Sequence, residues 1–277
     1  MKKSLNKLVA GASALCLVAA LGLASCGGGN ASSEDKTITV AASPTPHAQI
    51  LNEAVAPVLE KQGYKLEVTE FNDYVQPNTV VDQGELDANY FQHITYLNQF
   101  NEENGTNLVS VGAVHYEPFA IYAGTKSNLD DLSEGDKVSV PNDTTNEARA
   151  LLLLEQAGLI KLDPDAGLTA TPKDIVENPK KLEIVELEAA QLTKSLEDVA
   201  VSCINANYAL EANLSAQKDG LVVEASDGTA ADAYANILAV KAGNENTEKI
   251  KALVEACQSQ EVKDYITSTF NGAVVAL

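Results

Sequence analysis

Along the chain, apolar positions switch repeatedly between a period of two and a period near 3.6. Residues 36–42 form a β-branched run closed by Pro44-Thr45-Pro46, which predicts a strand and a turn. Ile50, Leu51, Ala54, Val55, Val58 and Leu59 then mark one helical face within 47–61, ending at Gly63. Residues 64–71 read as a strand, 78–83 as a short helix stopped by Gly84, and 94–103 as a helix stopped by Gly105. Strands are expected at 108–114 and 119–123, around a turn at 115–118, and again at 137–140. The clearest helix is 144–157: Thr144 and Glu147 suit a capping box, 151–154 are all leucine, and Gly158 ends it. Strands at 182–187, 199–204, 221–224 and 237–241 follow, with a helical turn at 192–196 and closing helices at 247–258 and 262–270. The repeated alternation predicts an α/β fold with largely parallel sheets. The Pro- and Asp-bearing stretch 161–181 reads as a surface excursion within one lobe.

The first residues have a different character. Lys2, Lys3 and Lys7 precede an apolar run of about 16 residues at 8–23, shorter than the roughly 20 needed to span a bilayer. It ends in Leu23-Ala24-Ser25-Cys26, followed by three glycines. A basic region, an apolar region and a small-residue site make an export signal. The tetrapeptide resembles the bacterial lipoprotein box, which implies lipidation of Cys26 after removal of 1–25. Residues 26–36 then form a lipidated, flexible tether. An ordinary secretory signal cut after small residues, or an uncleaved anchor, is the competing reading.

Charge narrows the function. Nineteen basic residues face 39 acidic ones, a formal net charge of −20. Losing 1–25 leaves 16 basic residues against 39 acidic, near −23. Such a body repels a phosphate backbone and an anionic lipid face, so nucleic acid is not the expected partner. After Cys16 leaves with the signal and Cys26 takes lipid, Cys203 and Cys257 remain, both in apolar runs that suggest buried thiols, with a disulfide as the lesser possibility.

The only arginine is Arg149; every other basic residue is lysine. Its planar fork suits a carboxylate, and its place early in a helix does not suit the helix dipole. Two roles fit: a surface residue paired with Glu147 or Glu155, or the partner of a ligand carboxylate. The polar clusters 43–47, 142–149 and 205–208 each follow a strand, where α/β folds bind ligands. Taken alone, Tyr90 and Phe91 fit a core, and Asn205 fits a helix cap.

Pro141-Asn142-Asp143-Thr144-Thr145-Asn146 with Arg149-Ala150-Leu151-Leu152-Leu153-Leu154-Glu155 resembles the signature of the methionine-binding lipoproteins of ABC importers, the NlpA family. Ser43-Pro44-Thr45-Pro46-His47-Ala48, Asp73-Tyr74-Val75-Gln76-Pro77-Asn78, the stretch Gly84 through His93, His115-Tyr116-Glu117-Pro118, the stretch Val185 through Leu192, Ile204-Asn205-Ala206-Asn207-Tyr208-Ala209 and Tyr234-Ala235-Asn236-Ile237 follow in the family's order. The resemblance covers about 37–272. It implies a two-lobed periplasmic-binding-protein fold of type II, with 37–115 plus 233–277 as lobe one and 116–232 as lobe two. A free amino acid would sit between them. Arg149 would hold the ligand carboxylate, Asn205 and Asn236 would bind its amino and carboxylate groups, and Tyr90, Phe91 and His93 would wall a thioether pocket, with Tyr74 and Tyr122 beside them. Arg149→Ala would then weaken binding by several kcal/mol with folding nearly unchanged. The resemblance also implies an ABC permease and ATPase as partners, a monomer on the outer face of the cell membrane, no cofactor and no catalysis.

Departures from the commoner pattern at Glu147-Ala148, Tyr116 and Ala120 leave room for D-methionine, a methionine-containing dipeptide or another apolar amino acid. A metal receptor is disfavoured because His47, His93 and His115 show no HxH or HExxH spacing. A hydrolase is disfavoured by the lack of a GxSxG elbow, and a surface adhesin on the same fold stays open.

Overall fold

Hydrogen bonding sorts the strands into two main sheets. The computed structural model describes residues 36–225 and 229–277, so the expected signal peptide, Cys26 and nearly all of the tether lie outside the described residues. The strands are β1 (Thr37–Ala42), β2 (Lys65–Glu70), β3 (Ala88–His93), β4 (Leu108–Tyr116), β5 (Ala120–Ala123), β6 (Lys137–Pro141), β7 (Lys161–Leu162), β8 (Ile175–Glu177), β9 (Glu183–Leu187), β10 (Val201–Ile204), β11 (Gly220–Val223), β12 (Ala235–Lys241) and β13 (Val275–Ala276). The first sheet runs β13-β4-β12-β3-β1-β2 and the second β11-β5-β10-β6-β9, while β7 and β8 pair as a separate ribbon in the expected excursion.

The sheets are mixed rather than largely parallel. β1 lies parallel to β2 and β3, and β6 parallel to β9 and β10. β5, β11, β12 and β13 pair only antiparallel. Chain path explains this. The chain leaves the first sheet at the end of β4, enters the second at β5, leaves it at β11 and returns at β12. Outgoing and returning strands are neighbours in each sheet, so they must run in opposite directions. The expected turn at 115–118 is therefore no hairpin: β4 and β5 belong to different sheets, and 117–119 form one of two adjacent crossings.

Each sheet has its own core. Ile38, Val40, Leu51, Leu59, Leu238 and Leu253 pack in the first, and Phe119, Ile121, Val140, Leu151, Leu154 and Cys203 in the second. Cys257 belongs to the first core, so the two cysteines are separate buried free thiols and the possible disulfide is absent. Burial raises both thiol pKa values, which keeps them unreactive. Among the described residues no helix is long and apolar enough to cross a membrane.

Local chemistry sets the helix ends. His93 caps Ile94–Asn104 by accepting the Tyr96 N–H at 3.1 Å, and Gly105 ends it at φ +66°. Thr144–Gln156 starts where expected, but its cap is Asp143 rather than Thr144: Asp143 Oδ1 accepts the Asn146 N–H at 3.1 Å, while the Thr144 hydroxyl donates to Glu103 at 2.8 Å. An Asp in this position outcompetes the Thr because its carboxylate also meets the positive end of the helix dipole. The longest strand missed in the sequence is β3. All six of its residues are buried, so polar and apolar positions do not alternate. Its Asn89 and Gln92 bond each other and Asn78 at 2.7–2.9 Å, a closed cluster of amides.

Glu147, only 6% exposed, lies against Glu186, with its Oε1 unpartnered among the described residues. Burial, with Glu186 beside it, pushes the Glu147 carboxyl from 4.5 up to about 8. The folded state therefore binds more protons than the unfolded chain between pH 4.5 and about 8, and stability falls as pH rises through that window. Glu147→Gln should flatten this fall and melt higher than the parent above pH 8, by roughly 2–4 °C per kcal/mol relieved. Thermal melts across that range check it; parallel curves for the two proteins would rule out a proton held at Glu147.

Candidate ligand-binding site

A pocket of about 350 Å³, including its mouth, lies where the ends of β3, β6 and β10 converge on the two crossings. Strand ends and helix N-termini are where α/β folds place ligands. Phe91 and His93 come from β3, Asn146 and Arg149 from the first turns of Thr144–Gln156, and Asn205 and Asn207 from the segment after β10. Glu117 comes from the first crossing and Asn236 from the start of β12; Tyr74 and Tyr96 complete an aromatic side.

Bonds between the two halves close the pocket. Tyr74 Oη donates to Asn207 Oδ1 at 2.6 Å, Tyr208 Oη to the Asn72 carbonyl at 3.0 Å, and His93 Nε2 to Asn146 Oδ1 at 3.2 Å.

Arg149 is 5% exposed and pairs with neither Glu147 nor Glu155. Its fork clasps Glu224: Nε donates to Oε1 at 2.8 Å and Nη2 to Oε2 at 2.6 Å. Nη2 also donates to the Glu117 carbonyl at 2.9 Å, and the guanidinium lies 4.1 Å from the Tyr234 ring centre and 5.0 Å from that of Phe119. The hydrogen bonds that the guanidinium makes to described residues use Nε and Nη2, and the Tyr116 hydroxyl lies close beside it. The expectation that Arg149 could be removed with folding nearly unchanged therefore needs correction, because its loss would strand Glu224.

Hydrogen bonds fix which face each amide turns inward. Asn205 Nδ2 donates to Asn146 Oδ1 at 2.9 Å, and its Oδ1, an acceptor, is buried without a partner among the described residues. Although Asn205 sits at the start of helix Ala206–Glu211, its side chain makes no cap bond. Asn236 Oδ1 accepts from His47 Nε2 at 2.9 Å, leaving its Nδ2 as the donor for other partners. Asn207 Oδ1 is taken by Tyr74, and its Nδ2 is a buried unpartnered donor.

Beneath the pocket, Tyr90 Oη donates to His115 Nδ1, and His115 Nε2 donates to Glu117 Oε1 at 2.8 Å. His47, His115 and Glu117 bring donor atoms within 4.8 Å of one another, a grouping that the sequence spacing concealed. Both Nε2–H groups already donate, to Asn236 and to Glu117, so the trio reads as a hydrogen-bond network; a metal would have to displace both bonds. Burial lowers His47 to about 4 and His115 to about 3; burial and then the Arg149 charge lower His93 to about 3. All three are neutral near pH 7. Burial raises the Glu117 pKa, opposed by His47, Arg149 and the Asn207 N–H.

Of the residues singled out in the sequence, Arg149, Asn205, Asn236, Phe91, His93 and Tyr74 line the pocket; Tyr90 and Tyr122 do not. Strand alternation puts Tyr90 on the opposite face of β3 from Phe91 and His93, in the first sheet's core. Tyr122 packs in a separate cluster with Leu192, Ile204 and Tyr208. Glu117, Asn146, Asn207 and Tyr96 were missed; the first three lay inside quoted motifs without a role. Glu147, Ala148, Tyr116 and Ala120, suspected of altering the pocket width, lie outside its lining.

A two-lobed α/β frame with a buried polar and aromatic pocket between its sheets is that of a solute-binding protein. Residues 38–277 match the NlpA lipoprotein family, and the chain belongs to it. It is 44% identical over 276 residues to the methionine-binding lipoprotein MetQ of Bacillus subtilis, covering 98% of each chain. Its fold matches the crystal structure of a lipoprotein from Ruminococcus gnavus at a TM-score of 0.86, with 60% identity over 87% of this chain and 99% of that one. A nutrient-binding protein from Burkholderia cenocepacia, solved bound to methionine, matches at a TM-score of 0.81, with 45% identity over 86% and 99% of the respective chains.

The histidines imply acid sensitivity. Their pKa values sit below the ordinary 6.5, so the unfolded chain binds more protons as pH falls from 6.5 to about 4. Stability is fully present above that window and lost on going down through it, by at most about 1.4 kcal/mol per pH unit for each histidine. His47→Gln, which keeps an N–H for Asn236, should remove one histidine's share of that loss, at most about 1.4 kcal/mol per pH unit. Urea melts at stepped pH test this; an unaltered slope would show that His47 is not held neutral.

Proposed function

We propose that this chain is a receptor that encloses free methionine between its lobes and delivers it to an ABC importer. The observation that carries the reading is the pair of buried, unpartnered amide atoms of opposite character, the acceptor Asn205 Oδ1 and the donor Asn207 Nδ2, in the pocket that Arg149 lines. A buried donor or acceptor left unsatisfied costs about 1–3 kcal/mol, and a zwitterion satisfies both. Its carboxylate takes Arg149 Nη1, Asn236 Nδ2 and Asn207 Nδ2. Its ammonium takes Asn205 Oδ1 and the Glu117 carboxylate. Its thioether lies against Phe91, Tyr74 and Tyr96 with His93 at the edge, where sulfur–aromatic contacts contribute about 0.3–1.5 kcal/mol each. The relatives named for methionine binding support that ligand.

The lobes, 37–115 plus 233–277 and 116–232, open and close about the two crossings, near Glu117 and near Asp232. A ligand that touches both sides favours the closed form by its differential affinity. The protein works as a monomer without a cofactor and performs no chemistry on its ligand. A diacylglyceryl-modified Cys26 tethers it to the outer face of the cell membrane, beside the permease and ATPase.

A thermal-shift panel on protein stripped of ligand by unfolding and refolding tests the reading. Methionine at 100 times its Kd should add about 2.7 kcal/mol of stability, a rise in Tm of roughly 5–10 °C. At the same concentration, methioninamide and the desamino acid should give almost no shift. Norleucine, which keeps the shape without sulfur, should give a reduced one. D-methionine and glycyl-methionine complete the panel. No shift with any of these ligands from a folded sample would refute the receptor reading, and equal shifts with methionine and methioninamide would refute the carboxylate assignment.

A further inference from the structure

We infer that Glu224 is a positioning residue for ligand recognition: it fixes the guanidinium of Arg149 so that one defined edge is left to meet a ligand carboxylate. The inference rests on the receptor reading. An arginine that binds an incoming carboxylate through its fork needs that fork open. Here Nε and Nη2 are already committed to the two oxygens of Glu224, at 2.8 and 2.6 Å, and the second Nη2 proton goes to the Glu117 carbonyl at 2.9 Å. Five N–H donors in a rigid plane are thereby reduced to the pair on Nη1. Glu224 is itself held from a third direction by the Tyr116 hydroxyl.

Where these groups come from matters as much as their distances. Tyr116, Glu117 and Phe119 belong to the end of β4 and the first crossing, and Glu224 and Tyr234 flank the second. The guanidinium lies against both the Phe119 ring and the Tyr234 ring, so both chain crossings contact one side chain. A rotation of one crossing against the other would turn the plane of Arg149, and a carboxylate bound to Nη1 would resist that rotation. Glu224 thereby links recognition of the α-carboxylate to the relative position of the two sheets.

The pair also sets the local charge. Arg149 and Glu224 together are neutral, so a carboxylate gains from the direction of two N–H bonds rather than from a bare buried cation. This predicts selectivity for ligands with a free α-carboxylate over their carboxamides, with Glu224 responsible for part of that discrimination although it does not line the pocket.

Titration calorimetry of the parent protein, Glu224→Gln and Tyr116→Phe with L-methionine and with L-methioninamide tests this. Glu224→Gln keeps the side-chain size but offers an N–H where Arg149 needs an acceptor. Methionine affinity should fall about 10- to 100-fold, the value of one hydrogen bond to a charged group, while methioninamide affinity changes by less than about threefold. Tyr116→Phe leaves the ion pair intact and should show the same ligand-dependent loss at roughly threefold; it carries the test if Glu224→Gln does not fold. Equal weakening of both ligands would mean a merely structural ion pair and would overturn the inference. So would methionine binding that is unchanged, or tightened by a freed Arg149. If the parent protein does not bind methionine at all, the receptor reading fails and this inference falls with it.

Discussion

A guanidinium taken out of water must be answered by a carboxylate, and much of this molecule is arranged around that constraint. Arg149 is buried where the two sheets exchange chain, and its partner Glu224 stands at the head of the returning segment. The pairing accompanies a topology in which β11 ends beside the first crossing, β4 and β12 are neighbours in one sheet, and β5 and β11 are neighbours in the other. A buried pair of this kind adds little to stability compared with a well-packed apolar equivalent, but losing one partner is costly. It therefore acts chiefly as a constraint on where the crossings lie.

The second organising element is a chain of amides and neutral rings. Asp143 holds Asn146, Asn146 holds Asn205 and His93, and His93 caps the helix that bears Tyr96. Across the pocket, Tyr90, His115 and Glu117 form a parallel chain, and His47 holds Asn236. Each link uses one face of an amide or ring and so determines what the other face offers. The inward acceptor of Asn205 thus follows from Asn146, which Asp143 fixes from outside the lining, and the inward donor of Asn236 follows from His47, which does not line the pocket. Burial strengthens such networks and makes an unfilled position costly.

Much of this was legible in the sequence, for identifiable reasons. Helices with a clear apolar stripe and a terminal glycine, such as Ile94–Asn104, fell within a residue or two of their observed ends. β3 was not legible, since a strand buried on both faces and stabilised by side-chain amides has neither alternation nor an apolar run to show. The order of motifs pointed to the right segments and to most of the right side chains. What it could not supply was direction. Tyr90 and Phe91 are adjacent in the chain and point opposite ways, and Arg149 carried the signature of a carboxylate partner without saying that Glu224, 75 residues away, would take its fork.

On the proposed reading, loading adds no net charge to the molecule, and this has a consequence for signalling. The described histidines are uncharged, Arg149 is cancelled by Glu224, and on the proposed reading the arriving amino acid is a zwitterion. Loading then leaves the molecule's net charge as it was. The strongly acidic body projects the same far field empty or full, and that field is screened with a decay length of about 8 Å in physiological salt. Electrostatic steering cannot tell a transporter which receptors carry cargo. Discrimination has to be geometric, read from how the two lobes stand to one another.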